Sequence, residues 1–350
     1  MIAITYTRND EYNHRMATGL ASGFKELGKE VSYVGKRTGR YPVNVQVLIE
    51  INGQREKQKN VKHVTWIQDP GQKDIDSDLV FFIHRPEAIG YKNPPPYSLL
   101  YTGFNPVEFR PVPHFDFLMV GYIPQPTPAW AYSLQAFKDH HTPLHVVIPR
   151  FTELFRDYNS PILESNWGHV KNVICKIRKE LGLEDDWEYD PSWPADAFLQ
   201  EYIPRTMDRY VCVWAALQLT KSLKIYGIAD WAQYNEFAPY YCGENWSEAD
   251  LQANYKAAKL TLHTNVNGFG MHSRVIDCMG AGGTVFALET PDDKLEGGIA
   301  SCFEPFVDYI PFNFTNIETA WTKKVGGSAR DKIYQSHLWR HRALEILQRL

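Results

Sequence analysis

The sequence has little that would point to a disulfide scaffold, a membrane protein or a nucleic-acid-binding protein. Its five cysteines are scattered, odd in number and without C-x-x-C spacing, so neither a disulfide framework nor a structural zinc site is predicted. No apolar run approaches the ~20 residues that a membrane-spanning helix needs. The formal net charge of −4 gives no general attraction to nucleic acids or acidic membranes, so such a partner would need a local basic patch.

Several common catalytic motifs are also missing. The chain contains no G-x-S-x-G nucleophile elbow, no H-E-x-x-H zinc motif and no G-x-x-x-x-G-K-[ST] phosphate loop. Met1 leads directly into IAITY, without the basic, apolar and small-residue order of a targeting segment. We therefore expect neither a serine hydrolase, a zinc protease nor a P-loop enzyme. The absence of a targeting pattern makes the cytoplasm the expected location.

What the chain does contain is a regular alternation of short apolar segments and amphipathic helices. The 350 residues suit two domains of ordinary size, and 44% hydrophobic with 22% charged residues is typical of a globular protein. About six strands are predicted in the first 105 residues, which indicates a Rossmann-like domain over residues 1–112. A second domain is predicted over 113–330, with a strand at 145–148, a helical insertion at about 150–220, and a last helix over 331–350.

The most informative stretch is KLTLHTNVNGFGMHSRVIDCMGAGGTVFAL, residues 259–288. It predicts a strand, a polar loop, a helix over residues 273–281, a glycine turn and a second strand, which together form one unit of a parallel sheet. Ligands of such sheets bind where the loops leave the strands, against the first amides of the next helix. Arg274 in the first turn suits a phosphate, and Asp277, three residues later on the same face, suits a sugar diol.

This stretch resembles the signature of the GT-B glycosyltransferases, and in particular of their CgeB-like (spore maturation protein type) group, roughly "N, small loop, G, R-V-f-E, small, small, G-G". The order LKIYG, W and YKAAK upstream, and DKI and HLWRHR downstream, is similar to that group as well. The resemblance implies two Rossmann-like domains facing a cleft, with a C-terminal helix crossing back to the domain junction. One departure is that Asp277 stands where the group usually has Glu.

The resemblance also implies which residues bind the donor, a nucleotide sugar. Two predicted strands of the second domain end in Gly121-Tyr122 and Tyr226-Gly227, where such ends line the nucleotide pocket. Glycine in a tight turn explains these pairs equally well. The predicted donor-binding residues are Gly121, Tyr122, Tyr226, Gly227, Asn265, Gly270, His272, Ser273, Arg274 and Asp277, with Ser273 as the helix N-cap.

A general base for the acceptor hydroxyl is expected from the first domain, and two candidates stay open. Asp69 follows a predicted strand and precedes Pro70-Gly71, a position that fits either a base or a turn former. His14, in the loop predicted after the first strand with Asp10 and Asn13, has the imidazole that titrates near neutrality. Arg274 completes the predicted catalytic set.

The run DIDSD, with Asp74, Asp76 and Asp78, could hold a metal ion because hard cations favour clustered carboxylates. The acids precede the apolar strand predicted at residues 79–84, however, whereas a metal-binding D-x-D of GT-A enzymes follows its strand. A solvated turn is therefore the preferred interpretation, and no metal is predicted.

The sequence thus predicts a metal-independent glycosyltransferase. No cofactor is expected beyond the nucleotide-sugar co-substrate, with a UDP-sugar favoured. The acceptor could be a glycan, a small molecule, a protein or modified DNA. DNA is an alternative because GT-B enzymes that glucosylate phage DNA carry a comparable R-V-W-E run. A non-catalytic binding protein that keeps the fold is the other alternative.

Overall fold

The computed structural model describes most of the chain, and the residues that it describes form two compact units. The described residues are 1–7, 11–36, 44–53, 57–68, 75–86, 91, 93–123, 129–156, 166–183, 188, 190, 193–199, 203–245, 247–264, 271–313 and 315–350. Unit 1 comprises Met1–Glu108, Met271–Ala281 and Gly327–Leu350, and unit 2 comprises Phe109–Gly270 and Gly282–Gly326. The change of unit after Glu108 falls within the proline-marked stretch NPVEFRPVP.

Unit 1 is built on a parallel sheet of six strands. In chain order the strands are β1 (Ile2–Tyr6), β2 (Val31–Lys36), β3 (Val47–Ile51), β4 (Lys62–Ile67), β5 (Leu79–Phe82) and β6 (Ser98–Leu99). They lie in the order β2-β1-β3-β4-β5-β6, and every neighbouring pair is parallel. The six strands predicted for the first 105 residues are therefore confirmed, with ends that differ by a few residues.

The core of unit 1 lies between one face of this sheet and two helices, α1 (Glu11–Glu26) and α10 (Trp339–Arg349). Helix α1 buries Met16, Leu20 and Phe24 at helical spacing. Gly19 and Gly23 let the two helices come close, because a Cβ atom at either position would overlap Trp339. This close contact explains why the last residues of the chain belong to the unit that contains the first.

Helices α7 (Ser273–Gly280) and α9 (Ser328–Ser336) also belong to unit 1. A Cβ atom on Gly280 of α7 would lie 2.7 Å from the ring of Phe104, so glycine allows this helix to lie against the buried ring. The division differs from the predicted one, in which 113–330 formed a single second domain. The predicted last helix is two helices, α9 and α10, separated by His337 and Leu338.

Unit 2 contains a parallel sheet of five strands in the order β10-β7-β11-β12-β13. The strands are β7 (Phe115–Val120), β10 (Leu223–Tyr226), β11 (Ala258–His263), β12 (Val285–Leu288) and β13 (Ile310–Phe312). Its core includes Phe286 stacked on Phe312, with ring centroids 4.1 Å apart, and Phe117 stacked on Trp321 at 4.9 Å. The strands predicted around residues 259–288 are confirmed.

The helices of unit 2 fall into two groups. Helices α5 (Ile203–Leu219), α6 (Glu248–Ala257) and α8 (Ile317–Ala320) accompany the sheet, and α5 contributes Val213 and Ala216 to the sheet core. A separate core joins the hairpin β8 (Gln135–Phe137) and β9 (His140–Pro143) with α2 (Leu144–Arg156), α3 (Asn166–Glu180) and α4 (Pro194–Ala197). Its first strand thus begins about fifteen residues before the predicted position of the insertion, and α5 is not part of this core.

The strand predicted at residues 145–148 is wrong, because these residues lie in α2. The run HVVI favours a strand by its β-branched residues, but the apolar positions Leu144, Val147, Phe151 and Leu154 recur every three or four residues. All four side chains are buried in the inserted core, and that burial decides for the helix. Within the part of the chain that the structure describes, no helix has the length and apolar character to cross a membrane.

Candidate functional site

Helix α7 begins with a histidine cap rather than the predicted serine cap. His272 is the N-cap residue, and its Nδ1 accepts a hydrogen bond from the backbone N–H of Arg274 at 3.3 Å. Ser273 is the first residue of the helix, and its Oγ lies 3.1 Å from the same Nδ1. Because Nδ1 accepts from the backbone, the proton of the neutral ring is on Nε2. The expectation that Ser273 caps the helix is therefore wrong.

Asp277 lies one turn further along α7 and is engaged within unit 1. Its Oδ1 accepts from Nη2 of Arg15, on α1, at 2.9 Å, although the two residues are 262 positions apart in sequence. The Asp277 side chain is only 7% exposed, and the Arg15 side chain is 26% exposed. Removing one partner of such a buried ion pair typically costs about 3–5 kcal/mol, because the other charge stays buried without compensation.

Arg15 is a residue of the candidate site that sequence reasoning missed. A buried acid on a helix needs a cation or hydrogen-bond donors, but the burial of Asp277 is known only from the structure, so the sequence carried no signal for its partner. Its identity could not be read from local pattern, because α1 and α7 are separated by most of the chain. Arg274, the neighbour of Asp277 on α7, is half-buried.

His14 lies in α1, not in the loop where it was predicted. The side chain is exposed, and its Nδ1 is 3.1 Å from the hydroxyl of Tyr6, the buried last residue of β1. When Nδ1–H donates to the Tyr6 oxygen, Nε2 holds a lone pair that can take a proton. Asp69, the competing base, lies outside the described residues.

The strand ends of unit 1 are joined by the side chain and carbonyl of one residue, Asn52. Asn52, after β3, has a positive φ of 52° and its Nδ2 donates to Oδ1 of the buried Asn13 at 3.2 Å. Its Oδ1 accepts from the backbone N–H of Gln68, after β4, at 2.6 Å, and its carbonyl accepts from Thr7 at 2.7 Å. These bonds join the ends of β1, β3 and β4 to α1, and they make Asn13 a structural residue.

In unit 2 the predicted strand-end residues are held by one another. The N–H of Gly121 donates to the carbonyl of Tyr226 at 2.9 Å, and the indole N–H of Trp231 donates to the carbonyl of Gly121 at 2.6 Å. A Cβ atom on Gly227 would overlap the carbonyl oxygen of Gly121, and Gly121 has a positive φ of 139°. Close backbone approach is thus a sufficient physical reason for both glycines.

Tyr122 and Gly227 are also held by contacts within unit 2. Arg209, on α5 and only 3% exposed, donates from Nη1 to the carbonyl of Tyr122, and its guanidinium lies 4.9 Å from the centroid of the Tyr122 ring. The N–H of Gly227 donates to the carbonyl of Gly243 at 3.1 Å, and the carbonyl of Gly227 accepts from the Tyr241 hydroxyl at 2.9 Å. Burial raises the pKa of the Tyr226 hydroxyl, so that group stays neutral near pH 7.

The remaining predicted residues give a mixed picture. Asn265 and Gly270 lie outside the described residues, as does Asp74 of the DIDSD run. Asp76 is 79% exposed and pairs with Lys57 at 2.9 Å, while Asp78 accepts from the backbone N–H of His63 at 2.8 Å. Among the described residues, no group of three or more His, Cys, Asp or Glu side chains could hold a metal ion.

Comparison with known structures shows the fold. AviGT4, a glycosyltransferase involved in avilamycin A biosynthesis, matches 100% of this chain with 97% of its own, with a TM-score of 0.50 and 10% identity. For sucrose-phosphate synthase from Thermosynechococcus elongatus the match covers 99% of this chain and 97% of the synthase, with a TM-score of 0.48 and 12% identity. For Anabaena HepE in complex with UDP-glucose it covers 100% of each chain, with a TM-score of 0.45 and 11% identity. No family model and no curated protein sequence matches the chain. The two parallel-sheet α/β units are those of a GT-B glycosyltransferase fold, as predicted.

Proposed function

We propose that this protein is a glycosyltransferase that moves a sugar from a nucleotide diphosphate donor, expected to be a UDP-sugar, to a hydroxyl acceptor. The observation that carries the proposal is helix α7 in a chain with the GT-B fold: Arg274 occupies its first turn, and the Arg15–Asp277 ion pair lies one turn further on. Within the GT-B fold we further propose the CgeB-like group, on the strength of the sequence signature alone.

The proposed chemistry requires positive charge where the donor breaks. The bond from the sugar C1 to the diphosphate oxygen cleaves, and negative charge grows on the departing nucleoside diphosphate. A guanidinium and the first amides of a helix stabilise such charge without reorganising, which is how electrostatic catalysis works. Arg274 is the residue that we assign to this role, and we propose that its charge takes the place of a metal ion.

The acceptor hydroxyl attacks C1 and must lose its proton. We propose His14 as the base, supported by its exposed ring and its contact with Tyr6, which fixes the orientation of the imidazole. Asp69 stays the competing base. The acceptor itself is an unidentified hydroxyl compound, either a glycan, a small molecule, a protein or a modified base of DNA, and we propose that the reaction takes place in the cytoplasm.

The experiment that tests this function is a thermal-shift screen of nucleotide sugars, with UDP and GDP series side by side, followed by donor hydrolysis without acceptor. A ligand that binds only the folded state raises the melting temperature, because it stabilises that state by RT ln(1 + [L]/Kd). We expect a shift with a UDP-sugar and slow release of UDP. Arg274→Ala should reduce the shift at the same ligand concentration, whereas the matched control Arg340→Ala, an exposed arginine of α10, should keep it. No shift with any nucleotide sugar would contradict the proposed function.

A further inference from the structure

The Arg15–Asp277 pair limits which side chain of this site can bind the donor. The resemblance assigns the donor contact at this position to a carboxylate, through Asp277. In the structure, however, that carboxylate is only 7% exposed and its Oδ1 is bonded to Nη2 of Arg15 at 2.9 Å. A diol that approached Asp277 would therefore meet an acid whose surface is already covered.

The accessible member of the pair is the arginine. The Arg15 side chain keeps 26% of its surface exposed, nearly four times the exposed fraction of its partner. A guanidinium presents five N–H donors in a planar fork, so a bond from one Nη to Asp277 is compatible with further bonds from the same group. Asp has one methylene fewer than the Glu of the resembling group, which keeps the carboxylate nearer to the helix.

The spacing of Arg274 and Asp277 along α7 indicates which face of the helix Arg15 lies against. Arg274 and Asp277 are three residues apart, so their side chains leave the same face of the helix one above the other. Any group that bonds to Asp277 is consequently close to the face that carries Arg274. Arg15 is thus held on the turn of α7 that follows Arg274, and phosphate oxygens are the ligand that guanidiniums beside a helix start favour.

The geometry points to Arg15 as a second diphosphate-binding residue, with Asp277 as the residue that positions it. This inference rests on the proposed function, since it concerns the same donor. The donor's diphosphate bonds to Arg15. Asp277 orients the guanidinium through its hydrogen bond and does not bind the ribose hydroxyls. It differs from the expectation that the resemblance gives, in which Asp277 binds the ribose directly.

Calorimetric binding of UDP, 2′,3′-dideoxy-UDP and uridine to the full chain tests this inference. Arg15→Met should weaken UDP binding about 10- to 100-fold, the loss expected for a charge-assisted contact, and leave uridine binding unchanged within about twofold. The wild-type protein should bind UDP and its dideoxy analogue about equally. Asp277→Asn should weaken UDP binding less than Arg15→Met does, because the guanidinium remains but loses its anchor.

A second variant keeps the test decisive if Arg15→Met folds poorly, since that change leaves Asp277 buried without its cation. In the double variant Arg15→Met/Asp277→Asn neither partner is charged, and it should show the same loss of UDP affinity as Arg15→Met. A double variant that binds UDP like the wild type would overturn the inference. So would a wild-type preference of tenfold or more for UDP over the dideoxy analogue that Asp277→Asn abolishes.

The same data separate this inference from the proposed function. A wild-type protein that binds UDP while the double variant binds it equally well contradicts only the role of Arg15. A wild-type protein that binds no nucleoside diphosphate, with UDP and GDP both measured, contradicts both.

Discussion

In unit 1 side chains, Asn52 above all, tie the strand ends together over long stretches of sequence, whereas in unit 2 the strands end at glycines whose backbone groups bond to neighbouring segments. Asn13, Asn52 and Gln68 join three elements of unit 1, and Arg15 joins α1 to α7. In unit 2, Gly227 lies so close to the carbonyl oxygen of Gly121 that a Cβ atom would overlap it, and Trp231 donates to the same carbonyl.

The difference shows where reactive groups can be held. A side chain that takes part in chemistry must be both accessible and fixed, and unit 1 supplies an exposed imidazole and a partly exposed guanidinium that each have a buried partner. The described strand ends of unit 2 supply shape and rigid backbone. We therefore expect substitutions in unit 1 to change catalysis and binding, and substitutions at the unit 2 glycines to change stability first.

The largest effect is expected at the base. If His14 takes the acceptor proton, His14→Ala should lower turnover about 10²- to 10⁴-fold, the usual contribution of a general base, while donor affinity stays the same. Turnover with saturating donor and direct donor binding are the two measurements. Asp69→Asn is the matched variant: a loss of this size there, with His14→Ala near the wild type, would move the base to Asp69.

The second effect is an acid sensitivity of unit 1. Burial lowers the pKa of His337 to about 3, with the charge of Arg342 as a further cause, and its Nδ1 accepts from Arg342 at 2.5 Å. Since the folded pKa lies below the ordinary value of 6.5, the unfolded chain binds the proton first. Stability should be present above pH 6.5 and fall by up to about 1.4 kcal/mol per unit as the pH drops towards 3.

Urea unfolding between pH 7 and 4 measures this slope. His337→Gln removes the titrating group and retains an acceptor for Arg342, so the variant should lose stability less steeply than the wild type. Equal slopes for the two proteins would show that His337 does not cause the acid sensitivity.

The third effect concerns the phosphate contact that we propose for α7. Arg274→Ala should weaken binding of a nucleoside diphosphate by about 1.5–3 kcal/mol and leave nucleoside binding nearly unchanged, because a charge-assisted bond to phosphate is lost. Calorimetry with UDP and uridine is the test. An equal loss for both ligands would remove Arg274 from the phosphate role.

A smaller effect of a different kind is expected in unit 2. Gly227→Ala places a methyl group onto the carbonyl oxygen of Gly121, which neither backbone can avoid without moving, so we expect a loss of about 1–3 kcal/mol in unfolding free energy. Gly326→Ala is the control, since nothing lies within 4 Å of its added Cβ. Equal urea midpoints for the two variants would contradict the packing explanation of Gly227.

The smallest effect is expected from the acidic run before β5. Asp76 is largely exposed and pairs with Lys57, so Asp76→Asn should leave turnover unchanged, and activity should survive EDTA if guanidinium charge neutralises the diphosphate as proposed. If EDTA abolishes turnover and Mn²⁺ restores it, the reaction is metal-dependent and the hypothesis of a metal-independent transfer is wrong.

Sequence pattern predicted well wherever the signal is local. The strand, helix and strand of residues 259–288 were predictable because apolar spacing and the glycines that follow the helix lie within thirty residues. The helix cap was not predictable, because serine and histidine are adjacent at the helix start and only the backbone geometry decides which of them precedes the first turn. The strand prediction at residues 145–148 was wrong because it rested on local propensity. Packing of the apolar positions of α2 in the inserted core favours the helix instead.

By itself the sequence determined the kind of element at most positions, the parallel α/β character of both sheets and the placement of Arg274 in the first turn of a helix, since each depends on neighbours in the chain. Tertiary structure alone decided that Asp277 would be buried against Arg15, 262 residues away, and that segments 271–281 and 327–350 would belong to unit 1. A local period specifies that a face is buried, but which distant group covers it depends on the packing of the whole core.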